Sequence, residues 1–301
     1  MKGPGGGGAG WTGARAWRQA WPFLLPGALL TAVFLLVPIL ETLRGSFYID
    51  VSFLERRFGG LENYRALLAD PAFRQACAFT ALFALVSVPL ETALGLAFAL
   101  ILSRDLPLRG LLRAVVLIPW AIPAAVSART FELIYQYHHG LANAALSWAG
   151  LADQPINWLG TAPGAFIALV LADAWKTTPF AALLFLAGLA GIPGDLARQA
   201  KVDGAHFVQR FRHITLPLLK PVIAVVVIFR AVDALRVFDL NYVLTGGGPG
   251  GSTTSLSLLG YRHYLSGDFG LGAAVSVTLF LAALAFTVLY ARRSRFLESA
   301  A

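Results

Sequence analysis

Long apolar runs separated by short polar stretches dominate this chain. Crossing the roughly 30 Å hydrocarbon core of a bilayer as a helix takes about 20 apolar residues. Six segments reach that length: residues 20–43, 75–102, 113–136, 162–190, 221–243 and 271–291. The second, fourth and sixth read well as membrane spans. The third contains Pro119 and Pro123, and the fifth carries Arg230, Asp233, Arg236 and Asp239. Those two are predicted to sit inside a bundle or beside a polar cavity, where lipid does not surround them. The expected fold is an all-α polytopic membrane protein with six transmembrane helices. Its transmembrane domain covers residues 20–292, between a basic, Gly-rich segment at 1–19 and a tail at 293–301.

Composition agrees with the pattern. Of 301 residues, 57% are hydrophobic and 13% charged, whereas soluble domains carry about 25% charge. That excludes a water-soluble globule. The run from Pro22 to Leu40 is too long and too rich in Leu and Val for a signal-peptide core, so a retained first span is expected. Cys77 is the one cysteine; a buried small apolar residue is the reading, and no Cys/His cluster has metal-ligand spacing.

The net charge of +8 could suggest a nucleic-acid partner, but its placement argues otherwise. Segments 1–19, 103–113, 191–220 and 292–301 hold 14 of the 24 Lys and Arg residues, and loops 44–74, 137–161 and 244–270 hold 6. The bias places the first set, and both termini, in the cytoplasm. Between the first two spans, LENYRALLADPAFRQA predicts an amphipathic helix near the membrane surface.

The loop 191–220, GIPGDLARQAKVDGAHFVQRFRHITLPLLK, is unusual between two spans. Asp195 can cap a helix through Ala197–Val202, Gly204 permits a sharp turn, and a second basic helical piece, Phe207–His213, leads to a break at Pro217. Helix, turn and helix make a stiff cytoplasmic knob that can transmit a push.

Here the residues resemble a known family. Gly204, nine residues, then Ile214-x-Leu216-Pro217 resembles the EAA loop of permease subunits in binding-protein-dependent ABC importers, a type I permease fold. LIPWAIPAAVSA at 117–128, DAWKTTPF at 173–180 and YVLTGGGPGGST at 242–253 resemble the sugar branch, of maltose-permease type. The resemblance covers about residues 20–292. It implies a subunit that pairs with a second permease, docks two ATP-binding-cassette ATPase subunits through the loop, and receives a sugar from an extracytoplasmic binding protein. It also implies a bacterial or archaeal cell membrane, with lipid around the spans. The coupling residues it picks out are Arg198, Gln199, Ala200, Asp203, Gly204, Ile214, Leu216 and Pro217. One departure stands out: the family usually has Glu-Ala-Ala where this chain has Arg198-Gln199-Ala200. Either the ATPase presents a different surface or docking leans on shape and on Gly204. The chain has no Gly-x-x-x-x-Gly-Lys-Ser/Thr phosphate loop, so it is expected to be a transport subunit without its own ATPase site, catalytic residues or cofactor.

Ionisable residues inside spans cost about 2.5–3.5 kcal/mol each on insertion scales, so each needs a partner or a wet cavity. Asp173 and Lys176, at i and i+3, are close enough to pair; an internal ion pair and ligand contact are both open. By resemblance, Asp173, Lys176 and Thr177 on one side and Trp120 and Ala124 on the other hold the sugar. Trp120 can stack on a sugar ring or anchor its helix at an interface. Arg230, Asp233, Arg236 and Asp239 alternate in sign at spacing three, as a stabilising ladder or a cavity lining, with Arg230 and Asp233 as sugar contacts. Glu91, Arg129 and Glu132 read as interhelical partners. The glycines at 246–248 and 250–251 read as a flexible or close-packing external loop.

Two other classes fit the sequence less well. His263 and Asp268 form the H-x-x-x-x-D of some membrane acyltransferases, but in an outside loop without further acyltransferase elements. A secondary transporter predicts inverted repeats, which are not visible, and leaves the structured loop 191–220 unexplained. The expected function is ATP-driven import of a di- or oligosaccharide such as maltose or trehalose, with glycerol phosphate or another polar solute as the alternative. No nucleic-acid partner is expected.

Overall fold

The structure, a computed structural model, describes residues 13–294. The glycine tract before Gly13 and the last seven residues lie outside the described residues. Helix α1 (Gly13–Thr31) continues through a π-turn (Ala32–Leu36) into α2 (Val37–Gly45). A two-stranded hairpin follows, β1 (Tyr48–Ile49) antiparallel to β2 (Arg57–Phe58), then α3 (Glu62–Ala69), α4 (Pro71–Leu102), α5 (Arg109–Ala121), α6 (Ala124–Ile134), α7 (Leu141–Trp148) and α8 (Ala162–Ala190). After these come α9 (Gly194–Val202), α10 (Phe207–Arg210), a second π-turn (Phe211–Thr215), α11 (Leu216–Leu235), α12 (Asp239–Leu244), α13 (Leu256–Leu265) and α14 (Phe269–Ser294).

Among the described residues, four helical stretches are long and apolar enough to cross a membrane: Ala20–Gly45, Pro71–Leu102, Ala162–Ala190 and Phe269–Ser294. The predicted third span is a bent pair, α5 and α6 meeting at 91°. The break falls at Pro123 and not at Pro119, which α5 absorbs. Ile122, just before Pro123, is extended (φ −72°, ψ 133°), because the proline ring crowds an α-conformation in its predecessor. The predicted fifth span is α11, which starts earlier and ends at Leu235; Asp239 opens the separate α12.

Three local expectations are corrected. Pro217 does not break the chain. The amide of Leu216 bonds back to the Phe211 carbonyl, a π-turn, and this wider turn carries α10 into α11 ahead of the proline. Asp195 is not the cap of α9: Pro193 holds that position, and Asp195 lies in the first turn, paired with Arg198. The surface helix is split at Asp70, whose Oδ1 accepts the Ala72 amide at 2.9 Å. PAFRQA therefore belongs to α4, and α3 is a separate short helix burying Asn63 and Leu67.

Helices α4, α8 and α11 form the centre. Phe79, Phe83, Leu169 and Ala172 pack in one half, and Ala99, Ala181, Phe185 and Val226 in the other. Small residues set the spacing. A Cβ on Gly95 would lie 2.7 Å from the Ala181 Cβ and 3.1 Å from the Ala182 amide nitrogen, so α4 and α8 touch backbone to backbone, the close approach small residues permit in membranes. The first span, by contrast, buries none of its apolar window and meets the bundle where α2 packs on α14.

Candidate functional site: a charged clamp beside a broken helix

Arg230 of α11 is 2% exposed and sits among carboxylates from three helices. Its Nε donates to Glu91 Oε2 of α4 at 2.6 Å, Nη1 to Asp233 Oδ2 at 3.1 Å, and Nη2 reaches Asp173 Oδ2 of α8 at 3.5 Å. Glu91 is fully buried and Asp173 is 8% exposed. Charges taken out of water persist only when paired and hydrogen-bonded, so one guanidinium clamps α4, α8 and α11 together. Glu91 is thus the interhelical partner its position predicted. Asp233 Oδ1 also accepts from Arg236 at 2.7 Å, extending the expected ladder to Arg236. Asp239 stands on α12, beyond the end of α11.

Lys176 does not pair with Asp173. Its ammonium donates to the Ile122 carbonyl at 2.6 Å and to the Trp120 carbonyl at 3.4 Å. Those carbonyls end α5, where breaking the helix leaves acceptors without intrahelical donors and the helix dipole favours a cation. Lys176 therefore caps α5 from α8. The Thr177 hydroxyl donates to the Asp173 carbonyl one turn back, at 2.7 Å.

Trp120, at the end of α5, is half exposed and stacks on Phe180 (centroids 5.5 Å, 21°), which meets Phe229 edge-on at 6.0 Å. Phe180 was not singled out in the sequence; its place one turn beyond Lys176 is the signal that could have found it. Ala124 opens α6 just past the break. Trp120, Ala124, Asp173, Lys176, Thr177 and Arg230 thus belong to one neighbourhood of α5, α6, α8 and α11. Arg129 and Glu132, on the outer side of α6, pair with each other at 2.6 Å and, among the described residues, bond to no second helix.

The residues expected to couple to an ATPase lie elsewhere. Arg198, Gln199, Asp203 and Gly204 are exposed and Ala200 is half-buried, on α9 and the turn after it. Gly204 has φ +80°, in the region that disfavours a Cβ. Ile214 and Leu216 are half-buried and Pro217 exposed around the second π-turn.

In the glycine loop at 246–251, Gly247 and Gly251 have close neighbours, whereas Gly246 and Gly250 face open space. Gly246, Gly247, Gly250 and Gly251 all have positive φ. The Thr253 hydroxyl donates to the Gly248 carbonyl and Asn241 Nδ2 donates to the Thr253 carbonyl, both at 2.7 Å. Asp268 caps α14 by accepting the Leu271 amide at 3.0 Å, a helix-end role for the second member of the H-x-x-x-x-D pair.

The sequence and the fold are similar to those of known proteins. The chain is 53% identical over 274 residues to the trehalose/maltose transport system permease protein MalF of Thermococcus litoralis, covering 91% of this chain and 92% of that protein. It is 43% identical over 233 residues to the trehalose transport system permease protein SugA of Mycobacterium tuberculosis, covering 76% and 73%. Its fold matches a chain in the crystal structure of a bacterial ABC transporter involved in the import of the acidic polysaccharide alginate, with TM-score 0.81 and 23% identity over 93% of this chain and 97% of that one. Residues 91–298, from the clamp's Glu91 to beyond α14, match the model for the binding-protein-dependent transport system inner membrane component. With the broken span, the charged clamp and the loop helices inside that match, the chain is a multi-pass membrane transport subunit of the binding-protein-dependent inner membrane component family.

Proposed function

We propose that this chain is a membrane-spanning subunit of an ATP-driven importer for an uncharged di- or oligosaccharide of the trehalose or maltose kind. The observation that carries the reading is the 53% identity, over nine-tenths of both chains, to a permease named for trehalose and maltose. The site supports the same choice. Arg230 is committed to three carboxylates and Lys176 to two carbonyls, which favours a neutral ligand over glycerol phosphate. Trp120 offers a half-exposed indole for a sugar's C–H face, with Ala124, Thr177 and Asp233 nearby for room and hydroxyl contacts.

In this reading the chain crosses the membrane six times, as α1–α2, α4, α5–α6, α8, α11 and α14, with both termini cytoplasmic as the Lys and Arg bias predicts. A second permease subunit completes the pathway. The loop 191–220 docks an ATPase pair, with Arg198, Gln199, Ala200 and Asp203 on the contact face and Ile214, Leu216 and Pro217 joining it to α11. A binding protein, which the family description names, delivers the sugar from outside. ATP binding by the partner subunits moves the helices, and each ligand shifts that equilibrium only by its differential affinity for the two states.

The test is uptake of labelled trehalose and maltose by vesicles carrying the chain with its partner subunits. Uptake that needs both ATP and the binding protein is expected. Uptake driven by an ion gradient without ATP would overturn the reading.

A further inference from the structure

A groove of about 550 Å³ runs between α5 and α8. Arg109 and Arg113 stand at one end and Pro179 at the other, with Leu117, Leu183 and Ala187 among the residues between them. At 1.5 Å per residue, α8 rises roughly 16 Å from Pro179 to its end at Ala190. That is about the depth of one leaflet of a 30 Å hydrocarbon core.

The arginines have hydrogen-bonding capacity to spare. Arg113 Nε is buried and has no hydrogen-bond partner, and Arg113 Nη2 makes a 3.3 Å bond to the Leu102 carbonyl. Among the described residues Arg109 reaches only the fully exposed Asp105, at 3.5 Å, a kind of pair that contributes little. Guanidinium groups prefer forked contacts to phosphate or carboxylate oxygens.

We propose that this groove binds one anionic phospholipid, with its phosphate between Arg109 and Arg113 and one acyl chain laid along α8 to Pro179. The apolar length and the charged end match the two parts of such a molecule. A sugar path would need polar groups along the groove, and an apolar helix of a partner subunit would leave the Arg113 donors unsatisfied. The arginines fall in a segment the charge bias assigns to the cytoplasmic side, where anionic lipid attracts basic residues by about 1 kcal/mol each. None of the residues proposed to contact the sugar lines this groove, and the site stands whatever the transported solute is.

The full-length chain, purified with its partner subunits, is placed in nanodiscs of equal phosphatidylglycerol and phosphatidylcholine, and retained lipid is counted by native mass spectrometry. Phosphatidylglycerol is expected to dominate. Arg113→Gln should weaken its retention about fivefold, while Arg113→Lys keeps more of it. Leu183→Trp should also expel it, with both arginines intact; Ala187→Leu narrows the same groove if the tryptophan variant does not assemble. Equal retention of the two lipids would overturn the proposal. So would a groove-filling variant that assembles and still retains phosphatidylglycerol at the unaltered level, since the arginines would then only attract surrounding lipid.

Discussion

Arg230 and Glu91, 139 residues apart in the chain, meet at 2.6 Å with both side chains almost wholly buried. The pair ties α11 to α4 where neither is free to face lipid, and Asp173 and Asp233 complete the contact. Removing one member of a buried pair costs about 3–5 kcal/mol, whereas removing all its charges can be nearly neutral. Arg230→Ala should therefore destabilise the chain strongly. The variant combining Glu91→Leu, Asp173→Asn and Arg230→Met should recover most of the loss. Thermal unfolding in detergent checks both; equal losses would mean the clamp is not an isolated ion cluster.

Lys176→Met keeps the length of the side chain and removes the donor. The Trp120 and Ile122 carbonyls, neither of them fully buried, then lose a charged donor, at about 1.5 kcal/mol, the low end for a hydrogen bond to a charged group. The α5–α6 break should loosen and sugar uptake fall about tenfold at unchanged protein level. Normal uptake in this variant would show that the cap is dispensable.

Gly95→Val tests the closest helix contact. The added Cβ would meet the Ala181 Cβ at 2.7 Å and backbone beside it, and backbone cannot swing away. Overpacking of this kind costs about 1–3 kcal/mol. Ala181→Gly should return part of that stability to the Gly95→Ala variant. A neutral Gly95→Val in thermal unfolding would mean α4 and α8 stand further apart.

Gly204 is a different case, because a Cβ there would meet nothing within 4 Å. The penalty lies in the backbone alone, about 1–2 kcal/mol for a residue with a Cβ at positive φ, with Asn the most tolerated. ATP hydrolysis coupled to sugar uptake should fall in the order Asn, Ala, Val. A ranking by side-chain size that puts Asn below Ala would point to steric exclusion at the ATPase surface.

Arg198→Glu restores the charge the family usually carries near this position. Arg198 is exposed and its one ion pair is with Asp195, three residues away, so the fold should not change. If the partner surface is matched to this chain's arginine, the reversal lowers transport-coupled ATP hydrolysis severalfold. Unchanged hydrolysis would mean docking rests on shape.

Much of the fold was legible because membrane insertion writes itself in hydropathy. The predicted span 162–190 coincides with α8, and the second and sixth spans differ from α4 and α14 only at their ends. What hydropathy could not supply was continuity. Pro119 and Pro123 look alike in sequence, but only the second breaks the helix, and Pro217 is absorbed by a π-turn. Distances along the chain misled in the site as well. Asp173 and Lys176 are near enough to pair, yet Asp173 joins Arg230, 57 residues away, and Lys176 joins the end of α5, 54 residues away. Such choices depend on which helix packs opposite, and a single helix's own spacing does not record that.

The unbroken run from α10 through the second π-turn to α11 has a mechanical consequence. Phe207, on the loop side, and Arg230, in the clamp, are ends of one rod about 35 Å long. A tilt of roughly 5° about either end displaces the other by about 3 Å, the length of one hydrogen bond. Leverage of that size lets a small rotation at the loop 191–220 be felt as making or breaking a contact deep in the bundle.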